Sequence, residues 1–204
     1  MAPATRSKTL FVGTQRGLLN DAMHPLLDLQ PTLRGELLEL RPLRADDFEA
    51  LFAVASDRLI WEQHFAPDRF REDVFRQFFR DAARSGGALV ALDRRDGRVI
   101  GSSRFQWHDQ PPDELEIGWS FLARSHWGGR YNGEMKRLML HHAFAMVDRV
   151  VFLVTPGNRR SQRALEKIGA VRAGTRCTSA GREAIVFEIT RSLHDAIHGD
   201  AHAK

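Results

Sequence analysis

The sequence predicts an α+β domain built on one central mixed, mostly antiparallel sheet of about seven strands with about four flanking helices. Three observations carry this. Strand-type and helix-type segments follow in the order strand, two helices, three strands, helix, strand, helix, two strands. Asp96-Gly97, set between two apolar runs, signals a hairpin. Residues 150–154, Val-Val-Phe-Leu-Val, form an unbroken apolar run of the kind buried on both faces of a sheet.

In chain order, residues 1–30 form an extension. Its first eight residues are polar and basic, and residues 18–29 are apolar but broken by Pro25. That stretch suits a short helix laid on the domain or an arm used to form a homodimer. Residues 33–43 read as the first strand. Arg44-Ala45-Asp46-Asp47 supplies a cap, and Phe48, Leu51, Phe52 and Ala55 give the next helix its buried face. Residues 59–68 read as a loop with at most one helical turn. A helix is expected over 69–84, ended by Ser85-Gly86-Gly87. Strands at 88–93 and 98–107 make the hairpin, residues 109–113 a turn, and 114–122 the next strand. Met135, Leu138, Met139, His142 and Met146 recur at helical spacing, so a helix starts near Tyr131. A helix over 158–168 and strands at 170–178 and 183–190 complete the domain, taken as 31–191. Residues 192–204 are expected to be a mobile polar tail.

Composition narrows the function. The chain has 204 residues, enough for one domain with a core, and at 43% hydrophobic and 27% charged it reads as soluble. No apolar run has membrane-spanning length, and no charged start leads into an apolar leader segment. The single cysteine, Cys177, rules out an internal disulfide framework and suits a reducing cytoplasm. The net charge of +4 suits a phosphate-bearing ligand as well as it suits a nucleic acid. The arginines are scattered apart from Arg159, Arg160 and Arg163, which argues against a nucleic-acid face. The histidines show no metal-ligand spacing, so no metal is expected.

The chemistry centres on residues 120–136. Between the strand at 114–122 and the helix near Tyr131 lie Trp127, Gly128, Gly129, Arg130, Asn132 and Gly133. A strand, a glycine-bearing turn and a helix start form an anion site, because the first helical amides lack partners and the helix dipole favours negative charge there. Neither a Rossmann fingerprint nor a P-loop is present.

A second stretch follows the apolar run: Asn158, Ser161, Leu165, Lys167 and Gly169 stand in the pattern N-x-x-S-x-x-[LV]-x-[KR]-x-G. With Trp127, Gly128, Tyr131, Asn132 and Glu134, this pair of motifs resembles the GNAT superfamily of acyl-CoA-dependent N-acetyltransferases. The likeness is nearest to its RimJ/RimL-like branch, and it covers residues 33–191. The resemblance implies a three-layer fold and acetyl-CoA as acetyl donor. It also implies an acceptor that is a small amine or a protein N-terminus. The superfamily turn, R/Q-x-x-G-x-G/A, carries Arg130 and Asn132 here at its two small-residue positions. Arg130 must therefore tolerate the turn, or the turn must shift.

The resemblance also assigns residues. Phe121 and Leu122 mark the strand end whose backbone would pair with pantetheine. Residues 127–133 would hold the diphosphate. Asn158 would contact the pantetheine arm or simply cap its helix, and Ser161 would face the thioester sulfur in place of the usual tyrosine. From the residues themselves, Glu114 and Glu116 share one strand face. Two carboxylates that close raise one pKa, and Glu116 is the candidate general base unless the face is merely salt-bridged. Glu62 and His64 are weaker candidates. Trp61, Phe65 and Trp107 are expected to line the acceptor pocket. The sole tyrosine, Tyr131, lies in the turn, so an acyl-CoA sensor without turnover is the competing reading.

Overall fold

A computed structural model describes residues 28–108, 114–178 and 180–198. The expected arm at 18–29 falls almost wholly outside them, as does the turn at 109–113. The described residues form one eight-stranded sheet. Its strands are β1 (Leu33–Arg34), β2 (Leu38–Pro42), β3 (Ala88–Asp93), β4 (Val99–His108), β5 (Glu114–Leu122), β6 (Arg149–Val154), β7 (Val171–Cys177) and β8 (Glu183–Thr190). Their spatial order is β1-β2-β3-β4-β5-β6-β8-β7, antiparallel throughout except for β5 against β6. Five helices accompany them: α1 (Phe48–Ala55), α2 (Glu72–Arg84), α3 (Tyr131–Ala143), α4 (Arg159–Lys167) and α5 (Arg191–His198).

Two cores make three layers. On one sheet face Met135 and Met139 of α3 meet Leu38, Leu40, Phe105, Leu115 and Ile117, with Leu165 of α4 in the same core. On the other, Phe48 and Leu51 of α1 and Phe75 and Phe79 of α2 meet Val90 and Phe121. Each such buried phenylalanine contributes about 1.5–3 kcal/mol. No described helix is long and apolar enough to cross a membrane, and no group of three metal-ligating side chains occurs among the described residues.

Three expectations are corrected. The single first strand is split into β1 and β2, because the amides of Glu36, Leu37 and Leu38 turn aside to donate to the Glu134 carboxylate. The extra strand brings the count to eight. The second helix starts at Glu72 rather than 69, since Arg71 is extended (φ −82°, ψ 137°) after a turn closed by Arg71 N to Asp68 O at 2.9 Å. The described part of the expected tail is α5. Thr190 Oγ1 accepts from Leu193 N at 3.3 Å, Arg191 pairs with Asp148, and Leu193 packs on the first core.

Candidate functional site

The site begins with an irregularity in β5. Ser102 pairs with Phe121 and Arg104 with Gly118, so β4 supplies one residue, Ser103, where β5 supplies two, Trp119 and Ser120. This is a β-bulge. Trp119 takes φ +51°, the only left-handed non-glycine among the described residues. Just before the bulge, β5 parts from its other neighbour. The parallel pairing with β6 covers only Leu115 with Val150 and Glu116 with Val151. Beyond it the β5 edge runs free to Leu122, while β6 stays paired to β8 on its far side. The gap between the diverging strands is lined by unpaired backbone, which an amide-bearing ligand can join as an added strand. Phe121 and Leu122 bury their side chains in opposite cores, so they offer the gap main chain only.

Past Leu122 the chain makes a 3-10 turn, Arg124–His126, and then the glycine turn. The Trp127 indole donates to Leu122 O at 2.8 Å. Gly128 takes φ +69°, a conformation that favours glycine. Arg130 sits at φ −80°, ψ −16°, ordinary right-handed backbone. The left-handed residue is therefore two places before Arg130, and the large side chain costs nothing there. A Cβ at Gly128 or Gly133 would meet no atom within 4 Å, and one at Gly129 only Trp127 O at 4.0 Å, so the turn is open on its outer side. The first backbone bond into α3 runs from Glu134 N to Arg130 O at 2.9 Å. The amides ahead of it are left for an anion. Asn132 is half-buried in the first turn of α3. Tyr131 is tied back, its hydroxyl donating to Asp93 Oδ2 at 3.1 Å.

The second motif stands beside the first. Asn158 caps α4, its Oδ1 accepting from Ser161 N at 3.1 Å. The Ser161 hydroxyl makes no hydrogen bond among the described residues and is half-buried. Arg160 joins the two motifs: its guanidinium carbon lies 4.0 Å from the Trp127 ring centroid, and its Nη2 donates to Ile60 O at 2.7 Å. It also holds Glu62 in an ion pair at 3.2 Å.

The two strand carboxylates do share a face, but each has its own basic partners. Glu114, 1% exposed, binds Arg176 through both oxygens at 2.6 and 2.8 Å and Arg149 at 3.3 Å. Glu116, also buried, bonds His108 Nε2 at 2.7 Å. The expected carboxylate–carboxylate pair is thus replaced by two Glu114–arginine ion pairs and the Glu116–His108 bond. The Glu116 bond raises the His108 pKa above its ordinary value. Glu114 is spent on holding β5, β6 and β7 together, and Glu116 is the one beside the bulge.

Trp61 and Phe65 come together around Arg69, whose guanidinium carbon lies 5.5 and 5.1 Å from their ring centroids. Trp61 is nevertheless 3% exposed, with Nε1 donating to Ala55 O at 2.7 Å, so it is mostly core. Trp107 packs against the first core, with α3, and the structure does not bring it to the other two. Burial, and then Arg69, push the His64 pKa down to about 3, so His64 stays neutral and is a poor base. A cavity of about 700 Å³ opens between Val54, Gly97, Val99 and Ser125, beside α1 rather than at the β5–β6 gap.

Sequence reasoning missed three buried cations. Lys136, on the buried side of α3, bonds Ser120 Oγ in the bulge and Ser103 Oγ at 3.3 Å, and burial pushes its pKa down to about 7. Arg104 lies 6% exposed over the Trp119 ring, and Arg69 is 9% exposed. The polar alternation Arg104, Gln106, His108 along β4 could have disclosed the first arginine.

The acetyltransferase (GNAT) domain family matches residues 38–171. Uncharacterized protein YkkB of Bacillus subtilis (strain 168) is 36% identical over 85 residues, 39% of this chain and 48% of YkkB, so the chain spans about half the length of that curated relative. A GNAT-family acetyltransferase structure from Bacillus anthracis superimposes with TM-score 0.66 at 20% identity, over 79% of this chain and 99% of that one. Mycobacterium smegmatis RimJ, in complex with CoA-disulfide, gives TM-score 0.60 at 21% identity, over 84% and 93%. At these identities the two structures speak for the fold, while the family match spans the splayed strands, the glycine turn and the α4 motif alike. This chain belongs to the GNAT family of N-acetyltransferases.

Proposed function

We propose that this protein transfers an acetyl group from acetyl-CoA directly to a primary amine, a small amine or a protein N-terminus. The observation that carries the reading is the splay of β5 from β6 after two paired residues, opening beside the unpaired amides of the α3 start. Both features fit acetyl-CoA. The free strand edges suit the amides of pantetheine, and the open turn at 127–133 suits a diphosphate.

Acetyl-CoA supplies an activated thioester. The chain's residues supply the rest. Gly128 and Gly129 let the ligand approach the main chain closely, and Arg130 adds positive charge at the same turn. Backbone amides freed by the bulge at Trp119 and Ser120 are placed to stabilise oxyanion charge. Glu116 takes the proton from the incoming ammonium, with His108 holding its carboxylate in position. Ser161 is our candidate to meet the leaving sulfur, its hydroxyl having no bond among the described residues. Cys177 is exposed at the end of β7, away from the gap, which supports transfer without an acyl-enzyme.

The test is amine-dependent release of free CoA thiol across a panel of small amines and peptides. Binding of acetyl-CoA with no release by any acceptor would instead identify a sensor.

A further inference from the structure

Arg104 stands on the same sheet face as Glu116, paired with Gly118 two residues beyond it. Its guanidinium carbon lies 4.4 Å from the Trp119 ring centroid, so one face is stacked. Its Nε and Nη2 are fully buried and bond nothing. Those two atoms form the guanidinium edge whose parallel N–H groups match the two oxygens of a carboxylate. Buried donors are almost always satisfied, and a buried cation needs a counter-charge. Among the described residues none is in ion-pair contact with Arg104, nor with Arg69 or Arg182.

The three arginines nevertheless lie together. Arg69 is stacked on Phe78 at 4.4 Å, and Arg182 lies 4.4 Å from Phe65, which Arg69 also touches. Burial and the Arg104 charge push the Arg69 pKa down to about 10, with a smaller push from Arg182. Asp81 and Glu116 act on Arg104, and Asp68 and Asp81 on Arg69, only from beyond ion-pair distance, so the group repels a polyamine and favours an added anion.

We propose that the acceptor amine carries a carboxylate, bound side-on by the Nε–Nη2 edge of Arg104, with Arg69 and Arg182 adding attraction. This rests on the acetyl transfer proposed above and names its substrate class: a short amino acid, rather than a peptide N-terminus whose carboxyl is tied up as an amide. The spacing suits it. Arg104 and Glu116 are diagonal neighbours, their side chains rooted roughly 7–8 Å apart. A carboxylate held at Arg104 therefore keeps a nearby amine within reach of Glu116. The edge is closed to solvent, so entry displaces a covering side chain. Trp119, held at φ +51°, is stacked over the guanidinium face, so a ligand at this edge changes the indole's surroundings.

The test is calorimetric titration of the CoA-bound protein with short amino acids, glycine to glutamate, each paired with its carboxamide. Tryptophan fluorescence of the same complex is read alongside, as is CoA release in a parallel reaction supplied with acetyl-CoA. At least one amino acid should bind about 10- to 100-fold tighter than its amide, as a charge-assisted bidentate pair requires, and should shift the fluorescence. Arg104→Gln should erase the preference while keeping acetyl-CoA affinity. Equal or tighter binding of the amides, no amino acid binding to the wild type, or a preference that survives in Arg104→Gln would overturn the proposal. The wild-type pairs decide it even if the variant does not fold. Carboxylate preference without CoA release would uphold Arg104's role and count against acetyl transfer. Release from amides alone would do the reverse.

Discussion

The Glu134 carboxylate is seated against Gly35, so closely that a Cβ at position 35 would lie 2.4 Å from Glu134 Cδ. The same carboxylate accepts from the amides of Glu36 at 2.8 Å, Leu37 at 2.8 Å and Leu38 at 2.9 Å. This clasp fixes the start of α3, and with it the glycine turn, against β2. Gly35→Ala must push the carboxylate off these amides. It should destabilise the protein by about 1–3 kcal/mol in urea denaturation. An unchanged midpoint would mean the carboxylate has another seat.

Glu114 and Glu116, two residues apart, should fail differently. Glu116→Gln should lower kcat about 10²- to 10³-fold at unchanged acetyl-CoA affinity, as loss of a general base does. Glu114→Gln should instead cost stability, about 1–3 kcal/mol, because Arg176 and Arg149 lose their shared buried partner, although both are partly exposed and Arg149 keeps Glu188. Kinetics and denaturation on both variants separate the roles. Wild-type kcat in Glu116→Gln would remove it as base.

The His108–Glu116 pair sets a pH window. Glu116 raises the His108 pKa, so the pairing stabilises the fold fully below the unfolded value near 6.5 and fades as pH climbs through the higher folded value. Activity should move oppositely. In the proposed mechanism a charged His108 holds the Glu116 carboxylate back from the ammonium proton, so kcat/KM should rise through that same window. His108→Gln should abolish that limb of the profile, and a profile identical to wild type would sever the link.

How much of this was legible in the sequence depended on whether one residue's pattern was enough. The strand 114–122, the Asp96-Gly97 hairpin and the helix from Tyr131 follow from local periodicity and turn chemistry, and the structure has them. The bulge at Trp119 is a register difference between two strands, which neither strand shows alone. The split of the first strand at Gly35 is imposed by Glu134, about a hundred residues away. Arg104 and Lys136 are ordinary surface residues by type, and only the packing of β4, β5 and α3 buries them. Arg130 looked obstructive because family turns keep a small residue there. Its right-handed backbone, with Gly128 taking the left-handed place, removes the conflict.

Lys136 gives a stability test independent of catalysis. Its folded pKa of about 7 lies below the ordinary 10.5. The unfolded chain therefore binds more protons between these values, and stability rises with pH across that window. Lys136→Met removes a buried charge while Ser103 and Ser120 keep their mutual bond at 2.7 Å. The variant should be more stable by roughly 1–4 kcal/mol at pH 6, with the difference shrinking towards pH 10. A variant less stable than wild type at pH 6 would show the ammonium to be net favourable there.

The most direct measurement is calorimetric titration of acetyl-CoA into the wild type and Gly129→Glu. Position 129 has room for a side chain, with no atom nearer its Cβ than Trp127 O at 4.0 Å, so the variant should fold and place a carboxylate where the diphosphate would lie. The account predicts binding by the wild type and at least a tenfold loss, about 1.4 kcal/mol, in the variant. Equal affinity in both proteins, or no binding by the wild type, would contradict a cofactor site at this turn.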